Sequence, residues 1–550
     1  MTETISTALP PVVFSTHPER YHHWRLEVQG EIATLWLDVK DDKPLREGYV
    51  LKLNSYDLGV DIELADAVER LRFEHPAVKV VVIRSAKDRV FSAGANIHML
   101  GLSAHGFKIN FCKFTNETRL GIEDASRSSG LRFLAALNGI CAGGGYELAL
   151  ACDDLVLVDD GSSAVSLPEV SLLGVLPGTG GLTRVVDKRR VRRDHADIFC
   201  TLQEGVRGQR AVDWKLVDAV APRSRFEHTV GERARVLAAT ASNRTGPGVV
   251  LPLLEVESTP DRRAYRYVTV DMHRAGRTAT LTVRGPGAGE PETAEAYRAR
   301  GAHAWAFRAF RELEDAILWL RFNEETLGLV VIRTEGDLDR VLAVDTTLDR
   351  LRDDWFVREV LLYQARVLRR LDLTARSLFA LVEPGSCFGG CLFELVLAAD
   401  RSYLLDGGAE PRTALGPLNA RDYSMTHGLT RLAAHFSGDE GAVRAALGRG
   451  TFSPAEAEAA GVVTARLDRI DYEDEVRVAI EERASLSPDA LTGMEASLRF
   501  PGLENADAKI FGRLSAWQNW IFFRPNAVGE HGALKVYGKP ERAAFDWRRT

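Results

Sequence analysis

The run VKVVVIRSA, starting at Val78, is apolar and β-branched almost without interruption. A strand of that kind is buried on both faces, so it demands cover above and below. The cover stands next to it. In VDIELADAVERLRFE, from Val60, residues Ile62, Leu64, Ala65, Val68 and Leu71 fall at helical spacing. The alternation continues: FKINFCKFTNETRLGIEDA and the residues after it read as helices, LRFLAALNG (from Leu131) as a strand, YELALACD as a helix and DLVLVDD as a strand. Upstream, RLEVQGEIATLWLDV (from Arg25) alternates apolar and polar residues about Gly30, the pattern of a hairpin. An α/β core joined by right-handed crossovers is the expected result.

With 550 residues the chain exceeds what one core serves, and two or three domains are expected. A faint internal repeat locates them. YRYVTVDMHRAGRTATLTV (from Tyr265) echoes the opening hairpin, and LGLVVIRTEGDLDRVLAVD (from Leu327) echoes VKVVVIRSAKDRVFSAGAN. EPGSCFGGCLFELVLAADRSYLL (from Glu383) echoes NGICAGGGYELALACD (from Asn138), and Glu394 precedes Asp400 by six residues as Glu147 precedes Asp153. Any two α/β units share strand-then-helix patterning, but three matches in one order favour duplication. NRTGPGVVLPLLEVESTPDRR, from Asn243, is rich in Pro and Gly and is the candidate linker. The expected divisions are 1–245, 246–471 and a helical region 472–550. The aromatic end of that region, from LSAWQNWIFF onward, is expected to pack on the body or on a partner subunit.

Composition excludes several functions. The 70 basic and 77 acidic residues leave a formal net charge of -7 spread over both signs, which gives no general attraction to nucleic acid or to an anionic membrane. No stretch reaches the ~18 apolar residues of a membrane span, and the first 25 residues lack the apolar core of a signal peptide. A cytoplasmic location is expected. Cys112, Cys141, Cys152, Cys200, Cys387 and Cys391 show neither paired metal-type spacing nor a dense disulfide pattern, which suits a reducing compartment.

Gly143, Gly144 and Gly145 stand directly ahead of a helix-forming run that carries Glu147. Glycine destabilises an element interior by roughly 0.5–1 kcal/mol relative to alanine, so a triplet is expected only where side chains would obstruct. A strand ending at Asn138 and a helix starting near Tyr146 place backbone N–H groups at a helix N-terminus, where unpaired donors favour negative charge. Without Cβ atoms these amides are open to a bulky ligand. FSAGANIHML, from Phe91, is a second strand-to-turn-to-helix junction, with Gly94 beside Ala95. Amides from two such turns can converge on one carbonyl oxygen and hold the charge developing there, at ~2.7–4 kcal/mol per donor.

Two carboxylates accompany the turns. Glu147 begins the helix, and Glu169 lies in the loop-like SLPEVSLLGVLPGTGGLTRV, from Ser166. Each alone has a plain reading, Glu147 as a first-turn complement to the helix dipole and Glu169 as a solvated loop charge. Beside two glycine junctions they form a pair fit to activate water and manage protons, provided burial and mutual repulsion raise at least one pKa.

Taken in order, AGAN (Ala93 to Asn96), NGICAGGGYELALACD, LPEVSLLGVLPGTGG (Leu167 to Gly181) and TRV resemble the crotonase, or enoyl-CoA hydratase/isomerase, superfamily, strongly so over residues 25–245. The resemblance implies a crotonase-like spiral of ββα units, with an intact N-terminal module, a degenerate second module and a helical C-terminal tail. It implies an acyl-CoA thioester as substrate, the coenzyme being part of that substrate, with no metal or redox cofactor. By the same resemblance the amides of Ala95 and Gly144 hold the thioester carbonyl, and Glu147 and Glu169 match the catalytic pair. Asn96, His98, Gly143 and Gly145 fall at substrate-binding positions. Hydratases commonly carry aspartate where this chain has Asn96, and often a lysine for the adenine end of coenzyme A where it has His98. In the second half no AGA turn follows VVIRTEGDLDRVLAVD, and only Gly389 and Gly390 remain of the triplet, so that half is expected to have lost the oxyanion hole.

Length, the paired modules and the tryptophan-containing tail resemble ring-cleaving members of the superfamily. That implies hydrolytic opening of an epoxidised, dearomatised ring attached to coenzyme A, with release of formate. The alternative is hydration or isomerisation of an aliphatic acyl-CoA. A dehydrogenase module in the second half is disfavoured because no GxGxxG follows a strand there. A thioester-binding protein without turnover is disfavoured by the intact Glu147 and Glu169. Cys112, in FKINFCKFTNETR, stands where the family's acyl pocket is usually lined. It joins the catalytic candidates for contact with the ring or proton transfer, against the plain reading of a small buried hydrophobe. His105 and His195 have no partner motif and stay outside the site. Relatives usually associate through C-terminal helices, so a homo-oligomer is expected, a dimer favoured.

Overall fold

The computed structural model describes residues 10–242, 244–407 and 411–550, and Asn243, where the candidate linker begins, lies outside them. Two compact units divide the chain, Ser15–Leu253 and Leu254–Thr550, the latter also taking in the described residues up to Phe14. The side-chain amide of Asn323 ties that N-terminal segment down: it donates to the Val12 carbonyl (3.0 Å) and accepts from the Val12 amide (2.7 Å).

In the first unit, β1 (Trp24–Gln29) and β2 (Ile32–Leu37) form the expected hairpin, turning at Gly30, whose φ of +61° favours glycine. Asp57 starts α1 (Leu58–Phe73) by accepting hydrogen bonds from the amides of Gly59 and Val60. Next come β3 (Val80–Ser85), β4 (Arg89–Ser92), α2 (Ile97–Leu102) and α3 (His105–Ser128). After these stand β5 (Arg132–Leu137), β6 (Gly139–Ala142), α4 (Gly144–Ala151), β7 (Asp154–Asp159) and β8 (Val165–Ser166). Then follow α5 (Glu169–Leu173), β9 (Ala219–Pro222) and α6 (Phe226–Thr240). The main sheet has the order β1-β2-β3-β5-β7-β9, parallel after the first pair, and a small parallel sheet has the order β4-β6-β8. Val80, Val82, Leu134, Val156 and Val158 on one face of the main sheet pack against Phe226, Val230 and Ala234 of α6. Val81 and Ile83, on the other face, are fully buried too, as the unbroken apolar run at Val78 demanded.

Three boundaries differ from expectation: the strand expected to end at Asn138 ends at Leu137, and β6, which pairs with β4 in the small sheet, stands between it and the glycines. α4 begins at Gly144 rather than near Tyr146, because Gly143 takes φ +54° and turns the chain out of β6 directly into the helix. Glu169 opens a five-residue helix instead of lying in a loop, and Gly174 ends that helix at φ +63°.

The second unit is built on a sheet of the order β10 (Glu257–Thr259), β11 (Arg262–Ala264), β12 (Val268–His273), β13 (Thr278–Arg284), β14 (Leu329–Glu335), β15 (Ser377–Val382), β16 (Arg401–Asp406) and β19 (Ala465–Asp468). Pairing is antiparallel up to β13 and parallel from β13 onward. β17 (Thr413–Ala414) and β18 (Thr451–Phe452) form a separate antiparallel pair. After β14 the chain enters the helix Leu338–Arg350 at once, with no strand equivalent to β4 between them. The helix Tyr472–Ser485 lays Tyr472 and Val476 on Leu329, Val331, Phe379 and Leu381, as α6 does in the first unit.

Of the C-terminal segment, Asn526, Ala527, Val536 and Arg549 are buried, whereas Phe511 and Phe523 remain 65% and 81% exposed. Only part of that segment therefore packs on the body. All six cysteines are free, and among the described residues no helix is long and apolar enough to cross a membrane.

Candidate active site

β4 and β6 are neighbours in the small parallel sheet, so the turns that leave them lie side by side. Gly94 adopts φ +86°, and a Cβ on it would stand 2.6 Å from the Gly144 nitrogen and 2.9 Å from the Ala142 oxygen. Only glycine fits there. Tyr56 holds the AGAN turn from the other side: its N–H donates to the Gly94 oxygen (2.9 Å), and its carbonyl accepts from the Asn96 N–H (2.8 Å). That pairing passes over Ala95. Among the described residues, neither the Ala95 amide nor the Gly144 amide donates a hydrogen bond to the protein.

Each glycine of the triplet answers to a different neighbour. A Cβ on Gly143 would come within 2.9 Å of Glu169 Oε1; one on Gly144 would collide with the Tyr56 hydroxyl; one on Gly145 would reach 2.6 Å from Ser92 Cβ. The space the glycines leave is thus filled by protein groups. The openness to a bulky ligand expected from the sequence is confined to the amide edge of the turn.

Glu147, in the first turn of α4, is 2% exposed. Its Oε1 accepts from the Thr179 amide (3.0 Å) and the Gly181 amide (2.7 Å), and its Oε2 accepts from the Thr179 hydroxyl. The PGTGG segment therefore wraps the carboxylate, and Gly181 is needed because a Cβ there would stand 2.9 Å from Glu147 Oε1. Glu169 is different. Its Oε2 is buried without a hydrogen-bond partner among the described residues. Burial, with the Glu147 charge adding to it, pushes its carboxyl up to about 7. Two carboxylates of unlike environment thus sit near the unpaired amides, and one of them titrates near neutrality.

Cys112 lies half-buried on α3, its Sγ 3.3 Å from where a Gly178 Cβ would be. Burial, reinforced by the Glu147 and Asp61 charges, pushes the thiol up to about 11, so near neutral pH it is a protonated thiol and not a thiolate. Asn96 caps α2 through Oδ1 to the Met99 amide (2.9 Å), while its Nδ2 donates to the Val50 carbonyl (2.7 Å) and Ser55 Oγ (3.0 Å). Its side chain is committed to the fold. His98 is exposed on α2, away from such contacts.

Four residues outside the expected set shape the site. Thr179 grips Glu147 from two atoms; it sits inside the quoted PGTGG, where the glycines drew attention from the residue between them. Tyr56 explains Gly144, and the Arg119 guanidinium lies 5.2 Å from the centre of its ring. Asp61 in turn holds Arg119 (2.5 Å), all three side chains being fully buried. No pattern around Tyr56 marks it, since its contacts run across 88 positions to the triplet.

The fold and these paired turns define a protein of the crotonase type. Residues 51–246 match the family model described as enoyl-CoA hydratase/isomerase. The chain is 58% identical over 546 residues, covering 98% of both chains, to a benzoyl-CoA-dihydrodiol lyase of Aromatoleum evansii. It belongs to the enoyl-CoA hydratase/isomerase, or crotonase, superfamily and is an enzyme of the lyase kind. Solved structures similar to it include an enoyl-CoA hydratase of Geobacillus kaustophilus HTA426 (34% identity, 40% of this chain and 75% of that one, TM-score 0.35). Another is an enoyl-CoA hydratase of Bacillus anthracis (26% identity, 40% and 77%, TM-score 0.33).

Proposed function

We propose that this enzyme opens the ring of 2,3-epoxybenzoyl-CoA hydrolytically, giving 3,4-dehydroadipyl-CoA semialdehyde and formate in aerobic benzoate degradation. The near full-length identity to a benzoyl-CoA-dihydrodiol lyase supports the substrate class. The observation that carries the mechanism is that the amides of Ala95 and Gly144, on turns leaving adjacent strands, donate to no protein group among the described residues, while Glu169 reaches the Gly143 turn with Oε1 and keeps a buried Oε2 without a partner.

The two amides donate to the thioester oxygen, so electron density released at the ring is held as an enolate. The reaction consumes two waters, one adding to the oxygenated ring and one to the carbon released as formate; Glu169, ionised above about pH 7, takes a proton from an attacking water and returns it to the ring carbon freed as the carbon–carbon bond breaks. Glu147, fixed by Thr179 and Gly181, orients the waters and manages the proton of the second. Asn96 positions the turn that carries the Ala95 amide, Gly143 and Gly145 set the position of the Gly144 amide, and His98 faces solvent where the coenzyme enters. Cys112, as a neutral thiol, lines the wall against the ring.

The second half, in this proposal, is a degenerate copy of the first. Its sheet likewise passes from antiparallel to parallel pairing, with two further antiparallel strands ahead of the β12–β13 hairpin, and Gly389 bridges Ala414 in parallel as Ala142 pairs with Ser166. That register sets Pro417 at the place of Glu169, so the copy lacks the titrating carboxylate and leaves the chemistry to the first unit.

The test is formate release measured against loss of 2,3-epoxybenzoyl-CoA, with crotonyl-CoA in parallel. Formate in step with substrate loss, abolished in Glu147→Gln and Glu169→Gln, is the expected result. Hydration of crotonyl-CoA without formate would make the enzyme a hydratase instead.

A further inference from the structure

The second unit holds a buried arrangement that the ring-opening reading does not use. Gly390 adopts φ +49°, close to the +54° of Gly143, and Cys391, the residue after it, follows its turn as Gly144 follows Gly143 in the first unit. In the first unit the Gly144 amide is unengaged. In the second the Cys391 amide donates at 2.5 Å to Oδ2 of Asp345, which reaches in from the helix Leu338–Arg350. The carboxylate fills the place fully, since a Cβ on Gly390 would collide with the same Oδ2.

Asp345 is 1% exposed, and its other oxygen, Oδ1, has no hydrogen-bond partner among the described residues. A buried carboxylate carrying one strong backbone bond and one idle oxygen is a costly choice for packing alone, because an apolar side chain would fill the volume without desolvating a charge. The cost is lowered by proton uptake: burial pushes the Asp345 carboxyl up to about 7. Behind it, Glu394 occupies the position matching Glu147 and is held by Asn419 (2.7 Å) and Arg431 (3.1 Å). Asn419 also donates to the Gly390 carbonyl (2.9 Å), pinning the turn.

We infer that the second unit keeps the amide of an acyl-oxygen site and that the Asp345 carboxyl is its resident ligand, standing where a thioester oxygen would otherwise be held. The inference rests on the reading of the second half as a degenerate copy. The donor was therefore not lost with the glycines. It is occupied from within, and the chemical class of ligand it accepts is a small carboxylate.

The experiment is chemical rescue in the full-length chain. Asp345→Ala removes a fragment of the size of acetate, so sodium acetate is the probe, with sodium chloride at the same ionic strength as control and thermal unfolding as readout. The expected result is a melting temperature lowered by several degrees, recovered saturably by acetate and not by chloride, with no such difference in the wild type. A folded Asp345→Ala that responds to both salts alike overturns the inference. If Asp345→Ala does not fold, Asp345→Asn and Asp345→Leu decide it. Asparagine still offers an oxygen to the Cys391 N–H and should melt well above leucine, whereas an asparagine variant no more stable than the leucine one overturns the inference. Ring-opening turnover, measured on the same wild-type preparation, tests the first-unit chemistry separately, so failure of one is not mistaken for failure of the other.

Discussion

The turn at Gly143–Gly144 and the turn at Gly390–Cys391 both pass through a glycine of positive φ and differ in what their amides meet. The first amide meets no protein acceptor among the described residues, while the second meets Asp345. Around the first stand two glutamates, one gripped by Thr179 and Gly181 and one half-buried with an idle oxygen. Around the second stands one glutamate, paired with Arg431, which also holds Asp372 (2.7 Å). The difference teaches that a scaffold can keep its donor geometry while a single side chain from another helix decides whether the donor is available.

The largest effect expected from that comparison lies in the paired glutamates. Glu147→Gln should lower formate release by ~10²–10⁴-fold, the usual worth of a group managing a proton in the transition state. Glu394→Gln should leave kcat unchanged and instead lower stability by about 1–3 kcal/mol, since it weakens a buried hydrogen-bonded pair whose cation keeps Asp372. Steady-state turnover and denaturant unfolding of both variants check the contrast. Loss of turnover in Glu394→Gln with an intact fold would break it.

Next in size is Gly144→Ala. The added Cβ collides with the Tyr56 hydroxyl, so the turn must shift and the amide with it. Removing one donor of this kind costs ~10²–10³-fold in kcat, and a displaced one should cost about tenfold to a hundredfold. Adding Tyr56→Leu, which clears the space, should recover part of the loss. Equal activity of Gly144→Ala and wild type would detach the amide from catalysis.

How much of this was legible in the sequence follows the range of the contacts. The hairpin about Gly30, the strand at Val80 and the helix Tyr472–Ser485 declare themselves by local periodicity and form as read, whereas at the glycine triplet the turn was legible but the strand β6 and the helix start at Gly144 were not. Glu169 was misplaced into a loop because a five-residue helix between Pro168 and Gly174 is too short to show a period. Tyr56 against Gly144 and Asp345 against Cys391 are contacts between distant segments, and no local pattern encodes them. The docking of Val12 on Asn323 spans 311 positions and is equally silent.

A pH series sharpens the role proposed for Glu169. With its carboxyl at about 7 in the folded chain against 4.5 when free, the base form appears only as pH rises through about 7. kcat/KM for ring opening should therefore climb across that interval, and Glu169→Gln should lose both the rate and the limb. Stability carries the opposite sign. A raised carboxyl pKa stabilises the fold below about 4.5, and that contribution disappears as pH rises through about 7. Relative to wild type, Glu169→Gln should thus gain melting temperature between pH 5 and pH 8 (about the span of the two pKa values). A parallel dependence in the two proteins would remove Glu169 from the titration.

The smallest effect is expected at Cys112. A thiol held up to about 11 by burial supplies no appreciable thiolate near neutral pH, and its sulfur lies against Gly178 on the loop that grips Glu147. Cys112→Ala removes contact area but no charge, so turnover should fall less than about tenfold and mainly through KM, as a wall residue would behave. Cys112→Ser separates packing from proton transfer, because the hydroxyl keeps a proton to give while filling less volume. A kcat loss of a hundredfold or more in alanine that serine restores would move Cys112 from the wall of the site into its chemistry.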